Sequence, residues 1–155
     1  MNDASDHAQV RTAAPFIYGG FLLLSLILHT ALPMPTPGLA WIAWLGALIA
    51  VGGLILGLLA VVWMRRESTT ISPHSPVSTL VIEGPFKLSR NPIYLGFLLI
   101  FLGSTLSART WWGLLLTPSL LIAVNRLVIR PEEAYLERRF ARHYEEYRSR
   151  VKRWI

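Results

Sequence analysis

Residues 39–64 read LAWIAWLGALIAVGGLILGLLAVVWM, with no charged side chain in the run. As a helix rising 1.5 Å per residue, such a run crosses the roughly 30 Å hydrocarbon core of a bilayer with some tilt. Trp41, Trp44 and Trp63 stand near its ends, where indole rings anchor at a membrane interface. Arg65-Arg66 closes it. Residues 16–32 form an earlier apolar run, and Pro33-Met34-Pro35-Thr36-Pro37-Gly38 turns the chain between the two. The pair reads as a helical hairpin over 16–64, behind a flexible tail of residues 1–15.

The composition agrees. Of 155 residues, 53% are hydrophobic and 15% charged, against about 25% charged in a typical soluble domain. The length suggests a single membrane domain. A net charge of +6 in a soluble protein would point to nucleic acid. Here the charge lies beside apolar segments, so membrane lipids are the expected partner and nucleic acid is not. The absence of cysteine excludes disulfides, thiolate zinc sites and thiol catalysis. The first fifteen residues carry Asp3, Asp6 and a single basic residue, Arg11, so no secretory signal is expected.

Residues 67–90 are polar and broken by Pro73, Pro76, Gly84 and Pro85, with Leu80-Val81-Ile82 as a short extended segment. A third apolar segment starts at Pro92, after Asn91 as N-cap, and ends near Leu106, short for a bilayer. Ser107-Ala108-Arg109-Thr110 turns the chain, and residues 111–128 return. Arg130-Pro131 then opens a charged helix. Leu136, Phe140, Tyr144, Tyr147 and Val151 recur at helical spacing on one face, with Arg138, Arg139 and Arg142 away from it. The expected fold is an all-α integral membrane protein of about four transmembrane helices in two hairpins, with a C-terminal amphipathic helix capping the cytoplasmic side. The core of the chemistry falls in residues 65–155.

Two constellations could carry chemistry. Arg90-Asn91-Pro92-Ile93-Tyr94-Leu95-Gly96 places an arginine at a helix N-terminus, an arrangement that favours anions; the plainer alternative is a loop before a well-capped helix. Arg126, Arg130, Glu132 and Glu133 cluster at the end of an apolar segment, where ionisable groups mark function. Glu133 shares the stripe of Leu136 and Phe140, so it faces protein and could hold ribose hydroxyls or balance a sulfonium. Glu132 fits a helix N-terminal role. The basic tail reads as a solvated or lipid-facing surface. Gly46, Gly52, Gly53 and Gly57 could pack within the chain or against a second copy. His29 reads as a hydrogen-bonded packing residue, His143 as exposed, His7 as part of the N-terminal tail, and His74 as a base or a bystander. No pair has metal-ligand spacing, so no metal is expected, and no soluble-type nucleotide motif is present.

Ser78-Thr79-Leu80-Val81-Ile82-Glu83-Gly84-Pro85-Phe86, running into Arg90-Asn91-Pro92-Ile93-Tyr94-Leu95-Gly96, resembles the cofactor loop of the isoprenylcysteine carboxyl methyltransferases and the related phospholipid methyltransferases. Pro131-Glu132-Glu133, followed by the aromatic stripe to Trp154, resembles their C-terminal signature. The resemblance implies a methyltransferase using S-adenosyl-L-methionine. It implies that Ser78, Thr79, Leu80, Val81, Phe86, Arg90, Asn91, Pro92, Ile93 and Tyr94 line the cofactor, completed by Glu132 or Glu133. It further implies that Arg126 or Arg130 orients a lipophilic or lipidated methyl acceptor. The family's Arg-His-Pro reads Arg90-Asn91-Pro92 here, its aromatic hydroxyl is replaced by Phe86, and its Phe-Gly pair reads Phe140-Ala141. These departures bear on the acceptor. Methyl transfer needs positioning and water exclusion rather than a covalent nucleophile, and none is apparent. The rival readings are a nicotinamide enzyme of the sterol-reductase type and a non-catalytic membrane protein that keeps the fold.

Arg65, Arg66, Lys87 and Arg90 lie in the middle loop and nine further basic residues lie from Arg126 onward, while Arg109 alone lies in the opposite turns. The positive-inside rule then puts both termini and the middle loop in the cytoplasm. A C-terminal reporter is expected to be active only in its cytoplasmic form; activity of an export-dependent reporter fused there overturns this topology.

Overall fold

The computed structural model describes residues 13–36, 40–67 and 79–155. Its regular structure is helical: α1 (Ala14–Ala31), α2 (Ala40–Arg66), α3 (Pro92–Ser107), α4 (Trp111–Val124) and α5 (Arg130–Arg150). A 3-10 turn lies at Gly84–Lys87 and a π-helical turn at Asn125–Ile129. No strand occurs among the described residues; residues 80–82, expected to be extended, run as irregular backbone into the 3-10 turn. Three helices are long and apolar enough to cross a membrane: α1, α2 and the continuous Trp111–Arg150. The apolar α3 has 16 residues, about 24 Å of helix. Large side chains face outward from the bundle, among them Trp44 at 78% exposure and Leu48 at 69%. That surface is suited to lipid and not to water.

Helix association in lipid gains little from apolar burial, so close backbone approach by small residues matters more. Gly46 and Gly53 of α2 face Gly103 and Gly96 of α3. A Cβ on Gly53 would lie 2.6 Å from the Gly96 carbonyl oxygen, and one on Gly103 would lie 2.5 Å from the Gly46 carbonyl oxygen. The matched spacing of seven residues on each helix makes an antiparallel seam with no room for a side chain. Ser107 Oγ closes its far end by donating to Ala43 O at 2.9 Å. These glycines are therefore used within the chain, whereas Gly52 meets nothing within 4 Å.

The first two apolar runs do not pack as the expected hairpin. α2 packs on α3, while α1 packs on α3 and α4. The glycine seam commits α2 to α3. Tyr18 commits α1 to the other side: its hydroxyl donates to Tyr94 O at 3.0 Å and its ring lies 5.5 Å from Phe97. Ala14, Tyr18, Phe101, Leu120, Val124, Val128, Ile129 and Tyr135 form the buried core. His29 also departs from expectation: its Nδ1 is buried without a hydrogen-bond partner.

Nor does the chain break before Pro131. α4 runs through the π turn into α5, and Arg130 N donates to Asn125 O, five residues back. Proline at 131 offers no N–H and its ring would clash with the carbonyl four residues back. One wider turn accommodates both problems without ending the helix.

Pairing directions gather the functional end. The start of α1, the end of α2, the start of α3 and the α4–α5 junction lie together. The opposite end is closed by Trp111 and Trp112, whose indole N–H groups donate to Pro35 O and Leu32 O, each at 2.9 Å. Gly53→Val is expected to destabilise the protein by about 1–3 kcal/mol through overpacking. Gly52→Ala should change little. Thermal unfolding in detergent separates the two, and equal effects overturn the seam.

Candidate functional site

The loop entering α3 is shaped by one glycine. Gly84 has φ +59, and a Cβ there would run into the Trp63 ring at the end of α2. The 3-10 turn that follows delivers a buried Ser89 and then Arg90 and Asn91. Asn91 holds the N-cap position of α3, but its side chain does not cap the helix. Its Nδ2 instead donates to Arg153 O at 3.0 Å, while Ser89 Oγ donates to the same carbonyl at 3.1 Å. Arg90 N donates to Lys152 O at 3.0 Å. The C-terminal tail thus satisfies the polar groups of an irregular segment that lipid could not.

The tail reaches this loop because α5 kinks at Ala141, whose φ of 42 and ψ of −118 are non-helical. Beyond the kink, Tyr144 and Tyr147 are buried. Tyr147 donates to Phe86 O at 2.7 Å, and the Tyr144 hydroxyl accepts from Arg90 Nη1 at 3.2 Å. As expected, Arg138, Arg139, Arg142 and His143 are exposed.

Glu132 and Glu133 part company. Glu133 lies between two guanidinium groups. Arg153 Nε donates to Oε1 at 3.1 Å and Arg153 Nη2 reaches Oε2; Arg90 Nη2 lies 3.3 Å from Oε1. This pairing pushes the Arg153 guanidinium above its ordinary pKa, chiefly through the hydrogen bonds to Glu133. Glu132 points elsewhere, accepting from the Tyr94 hydroxyl at 2.8 Å.

A cavity of about 330 Å³ opens beside Glu132, a volume in the range that holds small organic ligands. Its polar lining is Arg90, Asn91, Tyr94 and Glu132. Its apolar lining is Phe86, Pro92, Ile93 and Phe97, with Ala13, Ala14 and Pro15 from the start of α1 and Val61 and Met64 from α2. The structure therefore brings Phe86, Arg90, Asn91, Pro92, Ile93, Tyr94 and Glu132 to one space. Glu133 does not line it. Thr79 and Val81 do not line it; Leu80 lines a separate groove with Tyr147 and His143. Arg126 and Arg130 are exposed and outside it. Ser78 and His74 lie outside the described residues, as does His7. Among the described residues no group of three His, Asp or Glu side chains could hold a metal.

Sequence reasoning missed the α1 wall and Tyr18, although a phenol within an apolar run is a signal of a buried partner. It also assigned Arg153 to a lipid-facing or solvated surface, whereas its guanidinium is a structural partner of Glu133.

A family model of phospholipid methyltransferases matches residues 41–143, from the start of α2 past the kink in α5. The chain belongs to the phospholipid methyltransferase family. The match includes the cavity residues of α2, α3 and α5 and leaves α1 and the tail outside. An uncharacterized protein of Haemophilus influenzae is 35% identical over 66 residues, covering 41% of this chain and 100% of that protein. No solved structure matches. Membership supports methyltransferase chemistry in general, in a membrane setting that the apolar helices share.

Ala141 has a φ of 42, and a positive φ strains any residue with a Cβ. Ala141→Gly is expected to stabilise the protein by about 1 kcal/mol, read as a raised unfolding temperature in detergent. A lowered temperature overturns the strained kink.

Proposed function

We propose that this protein transfers a methyl group from S-adenosyl-L-methionine to a lipophilic or membrane-associated acceptor, either a phospholipid amine or an isoprenylcysteine-like carboxylate. The observation that carries the reading is a largely apolar cavity whose lining includes both Arg90 and Glu132. Arg90 is among its lining residues, with Nη1 on the Tyr144 hydroxyl and Nη2 beside Glu133. Glu132 lines the cavity as an acceptor. The amino-acid end of the cofactor bears a carboxylate and an ammonium group, and its sulfur is positive, so the residues present fit it.

Arg90 would hold the carboxylate, and Glu132 would face the ammonium or the sulfonium. Tyr94 keeps the Glu132 carboxylate in place through its hydroxyl. Asn91, Pro92 and Ile93 form the wall at the start of α3. When bound, the cofactor supplies an electrophilic methyl group open to in-line attack. The chain's own task is then to orient the two reactants and exclude water. Phe86, Phe97, Val61 and Met64 suit the second part of that task. The side between α1 and α2 is apolar and gives a lipid-borne acceptor a route from the bilayer. Arg126 and Arg130 would meet the acceptor's headgroup from outside the cavity. The site would face the cytoplasm, with the basic residues gathered at that end.

Calorimetric titration of S-adenosyl-L-methionine into the detergent-purified protein tests the reading. Saturable binding is expected, weakened about tenfold or more by Glu132→Gln, which removes the charge. No binding by folded, unmodified protein overturns the proposal. Saturable binding of a reduced nicotinamide in its place would favour the reductase reading.

A further inference from the structure

The far end of α3 closes in a Schellman turn. Thr110 N donates to Thr105 O and Arg109 N to Leu106 O, each at 3.0 Å. Such a turn needs a left-handed residue at its corner, and glycine is the usual one. Here the corner is Arg109, with a φ of 53. A side chain at that φ strains the backbone where glycine would not. The position is unusual for a charge as well. Arg109 is the only charged residue in 91–125, and none lies in 14–64. The other basic residues gather at the opposite end, so the positive-inside rule gives no reason for this one. Nothing in the fold offsets the strain. No carboxylate occurs in 14–66 or 91–131, and the Arg109 guanidinium has no hydrogen-bond or ion-pair partner among the described residues. The chain therefore holds a strained cation at a membrane interface with no protein group to meet it.

Its surroundings suit an amphiphile. Arg109 borders a pit of about 60 Å³ with Thr36, Ile42, Leu106, Thr110 and Trp111. The Trp111 indole is tied to Pro35 O and its side chain is 40% exposed. Ile42, Leu106 and Trp111 make the pit largely apolar, directly beside the cation. We propose that Arg109 anchors the phosphate of an anionic phospholipid in the leaflet opposite the cavity, with the start of an acyl chain against Ile42, Leu106 and Trp111. A guanidinium suits a phosphodiester because it donates two parallel, charge-assisted hydrogen bonds. A free phosphate ion offers the same oxygens but has nothing to place on the apolar wall. A zwitterionic lipid brings an ammonium group for which this end supplies no carboxylate. The site stands at the other end of the bundle from Arg90 and Glu132, and is independent of the methyl-transfer reading.

The test titrates phosphatidylglycerol into the full-length protein in a neutral detergent and reads bound lipid by native mass spectrometry, with thermal unfolding on each sample. The unmodified protein is expected to retain one phosphatidylglycerol that Arg109→Gly binds about tenfold more weakly. Without lipid, Arg109→Gly should unfold at a higher temperature than the unmodified protein, because glycine relieves the corner; the lost lipid then does not come from a damaged turn. Arg109→Asn also tolerates the left-handed region and should show the same loss. Arg138→Gln removes an exposed charge at the other end and should bind within about twofold of the unmodified protein. Arg109 variants that bind like the unmodified protein overturn the proposal. So does an equal loss in Arg138→Gln, which would reduce the effect to net charge. Phosphatidylcholine retained as tightly as phosphatidylglycerol overturns the choice of an anionic lipid. Inorganic phosphate that gives the same Arg109-dependent thermal shift as the lipid assigns the site to the free ion and overturns the lipid.

Discussion

One carboxylate between two guanidinium groups joins the parts of this chain that the membrane helices alone would leave apart. Glu133 sits at the start of α5, Arg90 before α3 and Arg153 in the C-terminal tail. Burying an ion is costly unless it is paired and hydrogen-bonded, and deleting one partner of a buried pair costs about 3–5 kcal/mol. Both arginines face Glu133, while the neighbouring Glu132 turns to the Tyr94 hydroxyl. The arrangement also fixes direction: Arg153 can reach Glu133 only if the tail returns across the loop at 89–91, and there its backbone carbonyls take the donors of Arg90, Ser89 and Asn91.

The bilayer explains why so much depends on that corner. Apolar burial drives little in lipid, so the helices are held by geometry: the Gly46/Gly103 and Gly53/Gly96 seam brings α2 and α3 to backbone contact. Irregular backbone is acceptable at such a depth only when its polar groups are matched inside the protein. The loop before α3 and the tail after α5 are both irregular, and each supplies what the other lacks. Their partnership leaves a cavity lined by Arg90 and Glu132, walled by apolar side chains from α1, α2 and α3.

Much of this was legible in the sequence, for definable reasons. Apolar runs, bounded by Arg65-Arg66, Asn91-Pro92 and the turn at 107–110, gave the helices nearly to the residue, because lipid imposes a simple rule on composition. The motif around Arg90, Tyr94 and Glu132 was legible through its resemblance to known methyltransferases. Pairing was not. Adjacent apolar runs suggested a hairpin, yet α1 and α2 pack on different helices, because the seven-residue spacing of glycines binds α2 to α3 and Tyr18 binds α1 to Tyr94 and Phe97. Hydropathy is blind to both. Arg126 and Arg130 were grouped with the glutamates by spacing in a regular helix, and the π turn at Asn125–Ile129 replaces that regular helix. Arg153 was hidden among other basic residues. Its partner lies twenty residues away, reached only through a backbone reversal at Ala141 that an alanine does not announce.

The two adjacent glutamates make the general point. Neighbours on a helix point about 100° apart, so Glu132 and Glu133 cannot serve the same space. The stripe shared with Leu136 and Phe140 correctly placed Glu133 against protein, and that is all a stripe can report. Which buried carboxylate meets the cavity depends on what each finds at its tip. Glu133 finds two guanidiniums and is satisfied by them; Glu132 finds a phenol and an open volume. Periodicity measures burial, whereas chemistry follows from residual need: an acceptor or donor that the fold has brought inside and not fully matched. By that measure Glu133 is spent on holding Arg90 and Arg153, and Glu132 is the carboxylate that meets the open volume.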